Sequence, residues 1–249
     1  MFKEFIWKIF YDKDKEFVLN HIDLDEQLAS AFETIDELNL ALLQLQTEID
    51  EYEQAIDKLV QNIAEFNKAD ELEEYWNEKR PQTTWTHRGR PNPTDTTQTV
   101  SVDPRIFYQN DHLLPTFSGT NDQIALLCLN NVHSKIRYTS DEKEYWQFAY
   151  ETYRRGKGDC EDGAILMANM MLLSGIPYWR VRLNAGDVKG GGHAYVTYLR
   201  EEDNTWYILD WCYWYDESKG FGRNWKDAEK YFGIWGSWNT KYMYGEKPE

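Results

Sequence analysis

Three residues of reactive type, Cys160, His193 and Asp210, follow one another in the second half of this 249-residue chain. Cys160 stands where a loop runs into an apolar segment, so we predict that it begins a helix. Unpaired backbone N–H groups and the helix dipole favour a thiolate at such a position. An imidazole that takes the thiol proton and a carboxylate that orients the imidazole would complete a nucleophilic triad. These residue types therefore indicate attack by a thiolate on a carbonyl carbon.

Two neighbouring strands are predicted to carry the histidine and the aspartate. His193 opens an alternating segment that runs to Leu199, and Asp210 closes a second segment that begins at Thr205. The polar residues 200–204 between the two segments predict a hairpin turn. A simple turn with its midpoint between positions 201 and 202 would set His193 directly opposite Asp210, within reach of a side-chain hydrogen bond.

These residues lie in four sequence pieces that resemble the transglutaminase-like superfamily of papain-like cysteine enzymes. The pieces span roughly residues 124–215 and are Gly158-Asp159-Cys160, Ser174-Gly175-Ile176-Pro177 leading to Arg180-Val181, Gly192-His193-Ala194-Tyr195-Val196, and Trp206-Tyr207-Ile208-Leu209-Asp210. The resemblance implies that Cys160, His193 and Asp210 fill the three catalytic positions of the family. It also implies an α+β, papain-like core in which the nucleophile helix packs on an antiparallel sheet.

The resemblance leaves the reaction open, because the family includes transglutaminases, peptidases, peptide N-glycanases and members that have lost activity. With water as the second nucleophile the enzyme would be a cysteine peptidase or amidase, and with a lysine amine it would be a transglutaminase. Either reaction takes a protein or peptide substrate. A rival hypothesis is a catalytically silent assembly protein, for example of a virus or phage particle.

The sequence does not decide whether the pKa of the Cys160 thiol is raised or lowered, nor which group would bind the oxyanion. Three acidic residues lie next to Cys160: Asp159, Glu161 and Asp162. Their charges raise the pKa of a neighbouring thiol, whereas a helix start and a protonated His193 lower it. Trp146, Gln147 and Tyr138 are of suitable type to bind an oxyanion, but their spacing selects none of them. Backbone N–H groups at the helix start are a further candidate.

Residues 24–66 have an unbroken heptad pattern of apolar residues, without proline or glycine, which predicts a long coiled-coil helix of roughly 65 Å. The two apolar series are Leu28, Ile35, Leu42, Ile49, Ile56 and Ile63, and Leu24, Ala31, Leu38, Leu45, Tyr52, Leu59 and Phe66. Further apolar residues beside them widen the seam, which favours a trimer, a larger bundle or packing against other helices. We expect a homo-oligomer or larger assembly through this segment; the alternative is an arm that folds back on its own domain.

The predicted domain organisation has three parts. Residues 1–78 form a helical, coiled-coil arm, residues 79–105 form a proline- and threonine-rich linker, and residues 106–249 form the transglutaminase-like domain. The aromatic residues of segment 216–249 are expected to cover the sheet, or else to line a groove for carbohydrate or peptide.

Composition limits the partners of the protein. A net charge of −16 argues against nucleic-acid binding and against an anionic membrane surface. No apolar run is long enough to span a membrane, and the N-terminus is a poor signal peptide, so we expect a cytoplasmic or particle-associated protein. Three cysteines do not make a disulfide framework. We find no cofactor signature, and a zinc site from Cys160, His193, Asp210 and Cys212 lacks the usual paired cysteine spacing.

Overall fold

The computed structural model of the chain describes residues 2–78, 86–91, 99–109, 111–142, 144–215 and 220–245. The chain divides into two compact units, Met1–Asp70 and Glu71–Glu249. Within these described residues the α-helices and strands follow in this order: α1 (Phe2–Glu78), β1 (His87–Pro91), β2 (Thr99–Val102), α2 (Asn121–Lys135), β3 (Arg137–Tyr138), α3 (Ala149–Arg155), β4 (Lys157–Gly158), α4 (Cys160–Leu173), β5 (Val181–Val188), β6 (Gly191–Leu199), β7 (Trp206–Leu209), β8 (Tyr231–Trp238) and β9 (Met243–Tyr244).

The first unit consists of helix α1 alone, as far as Asp70. The absence of proline and glycine from residues 2–78 leaves nothing to interrupt its backbone hydrogen bonds. The prediction of a long N-terminal helix is confirmed, and the larger heptad side chains between Leu24 and Ile63 are 49% to 69% exposed. The side chain of Phe66, the last residue of the pattern, lies outside the described part. Pairing of this helix with a second helix stays a prediction.

No helix in the described part of the chain is long and apolar enough to cross a membrane.

The end of α1 belongs to the second unit. Trp76 is 7% exposed and packs edge-on against Trp206, with 5.6 Å between the ring centroids. Asn77 Nδ2 donates to the hydroxyl of Tyr178 at 2.9 Å, and that hydroxyl donates to Glu73 at 2.6 Å. Within the predicted linker, β1 and β2 pair antiparallel, while residues 79–85 and 92–98 lie outside the described part.

The second unit is built on a five-stranded sheet in the order β7-β6-β5-β8-β9, in which all neighbours are antiparallel. Helix α4 is buried from Glu161 to Met171 and packs against β5, β6, α2 and α3. This is the predicted α+β arrangement of a nucleophile helix on an antiparallel sheet. Gly175, with φ 98°, follows α4 in the left-handed conformation that suits a glycine at a helix end.

Helix α3 is shorter than the sequence suggested. The aromatic-rich sequence of residues 142–154 predicts one continuous helix, but α3 begins only at Ala149. The backbone N–H of Gln147 donates instead to the Asp162 carboxylate at 2.7 Å, and the N–H of Phe148 donates to Glu151 at 2.7 Å. The helical prediction was wrong for the residues before Ala149 because a carboxylate of α4 takes the N–H that an earlier helical turn would use.

Candidate active site

Cys160 is the first residue of α4, as predicted, and only Asp159 separates it from β4. The Asp162 carboxylate accepts the backbone N–H of Asp159 at 3.2 Å, which satisfies one unpaired donor at the helix start. The indole of Trp211 donates to the carbonyl of Cys160 at 3.0 Å. Gly163 lies against the same indole so closely that a Cβ there would be 2.2 Å from the ring. The start of the helix is therefore fixed against the residue that follows Asp210.

His193 and Asp210 form a buried pair, with 2.7 Å between His193 Nε2 and Asp210 Oδ2. The predicted hydrogen bond between them is confirmed, but the predicted register is wrong by two positions. Val196 pairs with Leu209, so continuation of this register would set His193 level with Cys212. The contact forms because β7 ends at Leu209, and the bend that follows brings the Asp210 side chain back to the imidazole.

The Asp210 carboxylate accepts four further hydrogen bonds. Tyr231 of β8 donates its hydroxyl to Oδ2 at 2.6 Å, and the backbone N–H groups of Cys212 and Tyr213 donate to Oδ1 at 3.1 and 3.2 Å. The Cys212 thiol also donates to Oδ1, at the longer distance of 3.8 Å. Burial by itself raises the pKa of this carboxyl, but the hydrogen bond and charge of His193, together with the other donors, bring the pKa below its ordinary value. Sequence reasoning missed Tyr231 because its contact with Asp210 depends on how β8 lies in the sheet.

Tyr231→Phe is expected to weaken the His193–Asp210 pair without removing the ring. Loss of the hydroxyl donor raises the pKa of Asp210, so this carboxylate becomes protonated at a higher pH and then no longer supports the imidazole. The fall of Cys160 reactivity on the acid side of its pH profile, the acid limb, therefore moves to higher pH. In the parent, the lowered pKa of Asp210 stabilises the fold at pH values above the pKa that this carboxyl has in the unfolded state, and this stability is lost as the pH falls. In the variant the loss begins at a higher pH. At pH 7 the free energy of unfolding should fall by about 1 to 3 kcal/mol. Urea unfolding and pH-dependent alkylation of Cys160 measure the two effects.

Tyr195→Phe is the matched control for this change. The Tyr195 hydroxyl accepts a hydrogen bond from the Trp225 indole at 3.0 Å, so the variant removes an equally buried oxygen from a different partner. It should lower stability without moving the acid limb. An unchanged acid limb in Tyr231→Phe would show that Tyr231 only supports the fold.

Cys160 and His193 open into one cavity of about 440 Å³. The other lining residues are His133, Ile136, Tyr138, Val188, Lys189, Gly190, Gly191, Gly192, Trp211, Cys212 and Tyr213. Of the three residues considered for an oxyanion, only Tyr138 lines this cavity. Trp146 and Gln147 are each 3% exposed and lie in the core.

The thiol lies among acidic side chains. Cys160 Sγ donates to Glu161 Oε2 at 3.1 Å, and burial, together with the charge of Glu161, raises the pKa of the thiol well above its ordinary value. A hydrogen bond from the Ala194 N–H to the sulfur acts in the opposite direction. Burial also raises the pKa of Glu161, with Asp159 as the next cause, and raises that of Asp162 to about 8. In this arrangement burial, followed by the charge of Glu161, makes the thiol the favoured form.

Two groups of side chains in the described part of the chain could hold a metal ion, since their ligand atoms lie within 4.8 Å of one another. Asp141, Asp159 and Glu161 offer carboxylate oxygens, which suit a hard cation. His193, Asp210 and Cys212 offer a zinc-like set, but the first two are bonded to each other. Cys160, the fourth member of the zinc hypothesis, is not in this group.

The five-stranded sheet, the buried helix α4 and the site at its start define the transglutaminase-like class of α+β domain. The family model of the transglutaminase-like superfamily matches residues 118–211, and this part of the chain is a transglutaminase-like domain.

Among solved structures, the chain is similar to LapG of Legionella pneumophila. The EGTA-treated form aligns with a TM-score of 0.42 and 19% identity over 51% of this chain and 68% of LapG. The calcium-bound form has the same TM-score and identity, over 51% and 70%. The search of curated proteins gave no significant match.

Proposed function

We propose that this chain is a thiol enzyme that acts on a peptide or carboxamide carbonyl through Cys160, His193 and Asp210. One observation supports the proposal: Cys160 and His193 line the same cavity, and this histidine is already hydrogen-bonded to a buried carboxylate. A nucleophile, a base and a group that orients the base are the parts that such a reaction needs. The substrate is a protein or peptide.

The proposed reaction has two stages. The Cys160 thiol gives its proton to His193, and the sulfur attacks the carbonyl carbon, whose π electrons move to the oxygen. When the oxyanion collapses, the C–N bond breaks, His193 protonates the leaving amine and a thioester remains on Cys160. His193 then takes a proton from water or from an incoming amine, which attacks the thioester carbonyl carbon. When this second oxyanion collapses, the C–S bond breaks, the acid or the new amide leaves, and His193 returns the proton to the sulfur. Asp210 holds the imidazole in the required orientation and stabilises its protonated form.

The dependence of thiol reactivity on His193 tests this proposal without a known substrate. We expect His193→Ala to slow alkylation of Cys160 by iodoacetamide at pH 7 by on the order of tenfold, because no imidazolium is left to oppose the nearby carboxylates. Mass spectrometry of the labelled peptide measures the rate, with EDTA present so that no cation alters the acidic cluster.

His133→Ala is the control, because His133 lines the same cavity but donates its Nδ1–H to the Trp211 carbonyl, 2.8 Å away. Equal alkylation rates in the parent and in His193→Ala would contradict the proposed pairing of thiol and imidazole. In that case the catalytically silent alternative gains support.

We also propose that the α1 arm associates with further copies of itself through its heptad stripe. Helix α1 presents apolar side chains at every described heptad position from Leu24 to Ile63, and the larger ones are about half exposed or more. Burial of such a stripe in a coiled coil removes apolar surface from water. Self-association through α1 is compatible with enzymatic activity of the transglutaminase-like domain. It is also the role that would remain if that domain were catalytically silent.

Paired lysine substitutions test the stripe in the full chain. Leu42→Lys with Ile49→Lys places two charges in the seam and is expected to convert the oligomer to monomer at micromolar concentration, as measured by light scattering. Thr47→Lys with Gln54→Lys adds the same charge at outward heptad positions and should leave the oligomer intact. A monomeric parent chain would contradict self-association.

A further inference from the structure

Strand β8 contains two β-bulges where it pairs with β5. The register against β5 skips Phe232 and Trp235, so each of them is an extra residue of β8. Both are aromatic, and they are 67% and 50% exposed. A β-bulge breaks the alternation of a strand and can direct a side chain away from the face that it would otherwise take. The two bulges therefore place large rings at the surface of the domain.

Trp235 lies at the rim of the active-site cavity. Its indole N–H donates to Asp187 Oδ2 at 2.9 Å. Its six-membered ring lies against Gly192, where a Cβ would be only 2.3 Å from the ring. Gly192 lines the cavity that contains Cys160 and His193, and it pairs directly with Asp187 in the sheet. The indole is therefore held beside the residue that precedes the proposed base.

The Trp235 indole differs from the other indoles of the domain in its contacts. Every other tryptophan whose side chain the structure describes has an aromatic ring or a cation against its own ring. Among the described residues, neither kind of group packs on Trp235. Cations are established partners here, since Lys230 lies 4.0 Å from the centre of the Trp214 ring and Arg180 lies 4.5 Å from that of Trp179. Trp235 thus offers solvent the kind of surface that binds cations elsewhere in this domain.

Asp187 adds a negative charge on the N–H side of the same indole. The residue is half-buried, and within the described part of the chain Trp235 is the one group that hydrogen-bonds to its carboxylate. The site depends on a second glycine, because a Cβ at Gly233 would be 2.4 Å from Asp187 Oδ2. A carboxylate beside an exposed indole attracts a cation in two ways, through its charge and through the negative face of the ring.

The charge of the whole protein favours the same class of ligand. The chain has a net charge of −16, so a basic segment of a partner is attracted over a long range. A neutral apolar side chain or a sugar could stack on the ring but would leave the Asp187 charge unpaired. Lysine and arginine use both groups, and their long stems can cover the ring while the charged end reaches the carboxylate.

From this juxtaposition we infer that Trp235 and Asp187 form a specificity subsite, which binds a lysine or arginine side chain of the protein substrate beside the active-site cavity. The inference rests on the proposed thiol chemistry and specifies its substrate. The bound side chain is held by its charge and takes no part in bond formation. Its contribution is to hold the substrate main chain across the cavity that contains Cys160.

Protection of Cys160 from iodoacetamide tests the subsite in the full chain. The probe is the peptide acetyl-Ala-Ser-Ala-Lys-Ala-Ser-Ala-amide, and its partner has norleucine in place of lysine, which keeps the stem and removes the charge. Three residues on each side of the lysine cover the cavity in either direction of binding. We expect the lysine peptide to give half-protection at a concentration roughly 3- to 10-fold lower than the norleucine peptide. Mass spectrometry of the Cys160 peptide at pH 8 measures the labelling rate.

Variants of the subsite locate this preference. Asp187→Asn keeps an oxygen that can accept the indole N–H but removes the charge, and Trp235→Leu removes the ring. Each is expected to bring the two peptides within twofold of each other. Glu201→Gln removes the same charge from an exposed position in the turn between β6 and β7, and it should leave the preference for lysine unchanged.

The outcomes separate the subsite from the proposed function. If the two peptides protect Cys160 equally in the parent, or if neither protects it, the subsite is wrong and the thiol chemistry is unaffected. A preference for lysine that persists in both Asp187→Asn and Trp235→Leu would place the cation elsewhere on the acidic surface and would overturn the inference. The proposed function fails by a different result, which is alkylation without peptide that does not depend on His193.

Discussion

Replacement of Cys160 by alanine is expected to abolish turnover, with a loss of roughly 1000-fold or more. The proposed mechanism forms its covalent intermediate on this sulfur, and a triad that lacks its nucleophile retains only the catalysis that comes from binding and electrostatics. Two assays measure the loss: cleavage of labelled casein, which reports hydrolysis, and incorporation of monodansylcadaverine into casein, which reports acyl transfer. The assay in which the parent is active identifies the second nucleophile as water or an amine.

Asp210→Asn is expected to have a smaller but still large effect, on the order of 100-fold or more. The Asp210 carboxylate accepts a hydrogen bond from His193 at 2.7 Å and from Tyr231 at 2.6 Å. The N–H of an amide group at this position can donate a hydrogen bond to the imidazole and so favours the wrong tautomer. Urea unfolding of the variant separates this effect from loss of the fold.

Cys212→Ala is the matched control for Cys160→Ala. Cys212 also lines the cavity, but the proposed mechanism gives its thiol no role. We expect the control to keep most of the parent activity. Equal loss in the two variants would favour the zinc hypothesis, in which both cysteines are ligands, and full activity in Cys160→Ala would exclude Cys160 as the nucleophile.

Glu161→Gln is expected to increase the reactivity of the Cys160 thiol. Glu161 accepts a hydrogen bond from the thiol, and after burial its charge is the main cause of the raised thiol pKa. Without that charge the thiolate forms at lower pH, so alkylation at pH 8 should be roughly tenfold faster than in the parent. The contrast should grow as the pH rises, because the pKa of Glu161 is itself raised and the parent side chain gains its charge only as it deprotonates.

The measurement is the full pH profile of iodoacetamide labelling at Cys160, with EDTA present. Glu201→Gln removes the same charge from an exposed position in the turn between β6 and β7 and serves as the control. A profile for Glu161→Gln that coincides with that of the parent would mean that burial alone holds the thiol protonated. The acidic residues would then have no part in setting its reactivity.

Local patterns in the sequence determined the elements that carry the proposed triad. The helix start at Cys160, the helix end before Gly175 and the alternation of β6 and β7 each depend on residues a few positions apart. A long helix over residues 24–66 was also predictable, because a heptad series without proline or glycine has no internal stop; α1 extends beyond this pattern at both ends, from Phe2 to Glu78. These features could be predicted since hydrogen bonds within one helix or one hairpin connect near neighbours in the chain.

Contacts between distant segments were decided only by the tertiary structure. Tyr231 reaches Asp210 from another strand, and Asp162 takes the Gln147 N–H that a longer α3 would have used. The register of the hairpin differs by two positions from the predicted one, and Asp210 reaches His193 only because β7 ends at Leu209. The sequence alone showed acidic residues beside the thiol. Whether these surroundings raise or lower the pKa of the Cys160 thiol depended mainly on burial, and burial is a property of the packed domain.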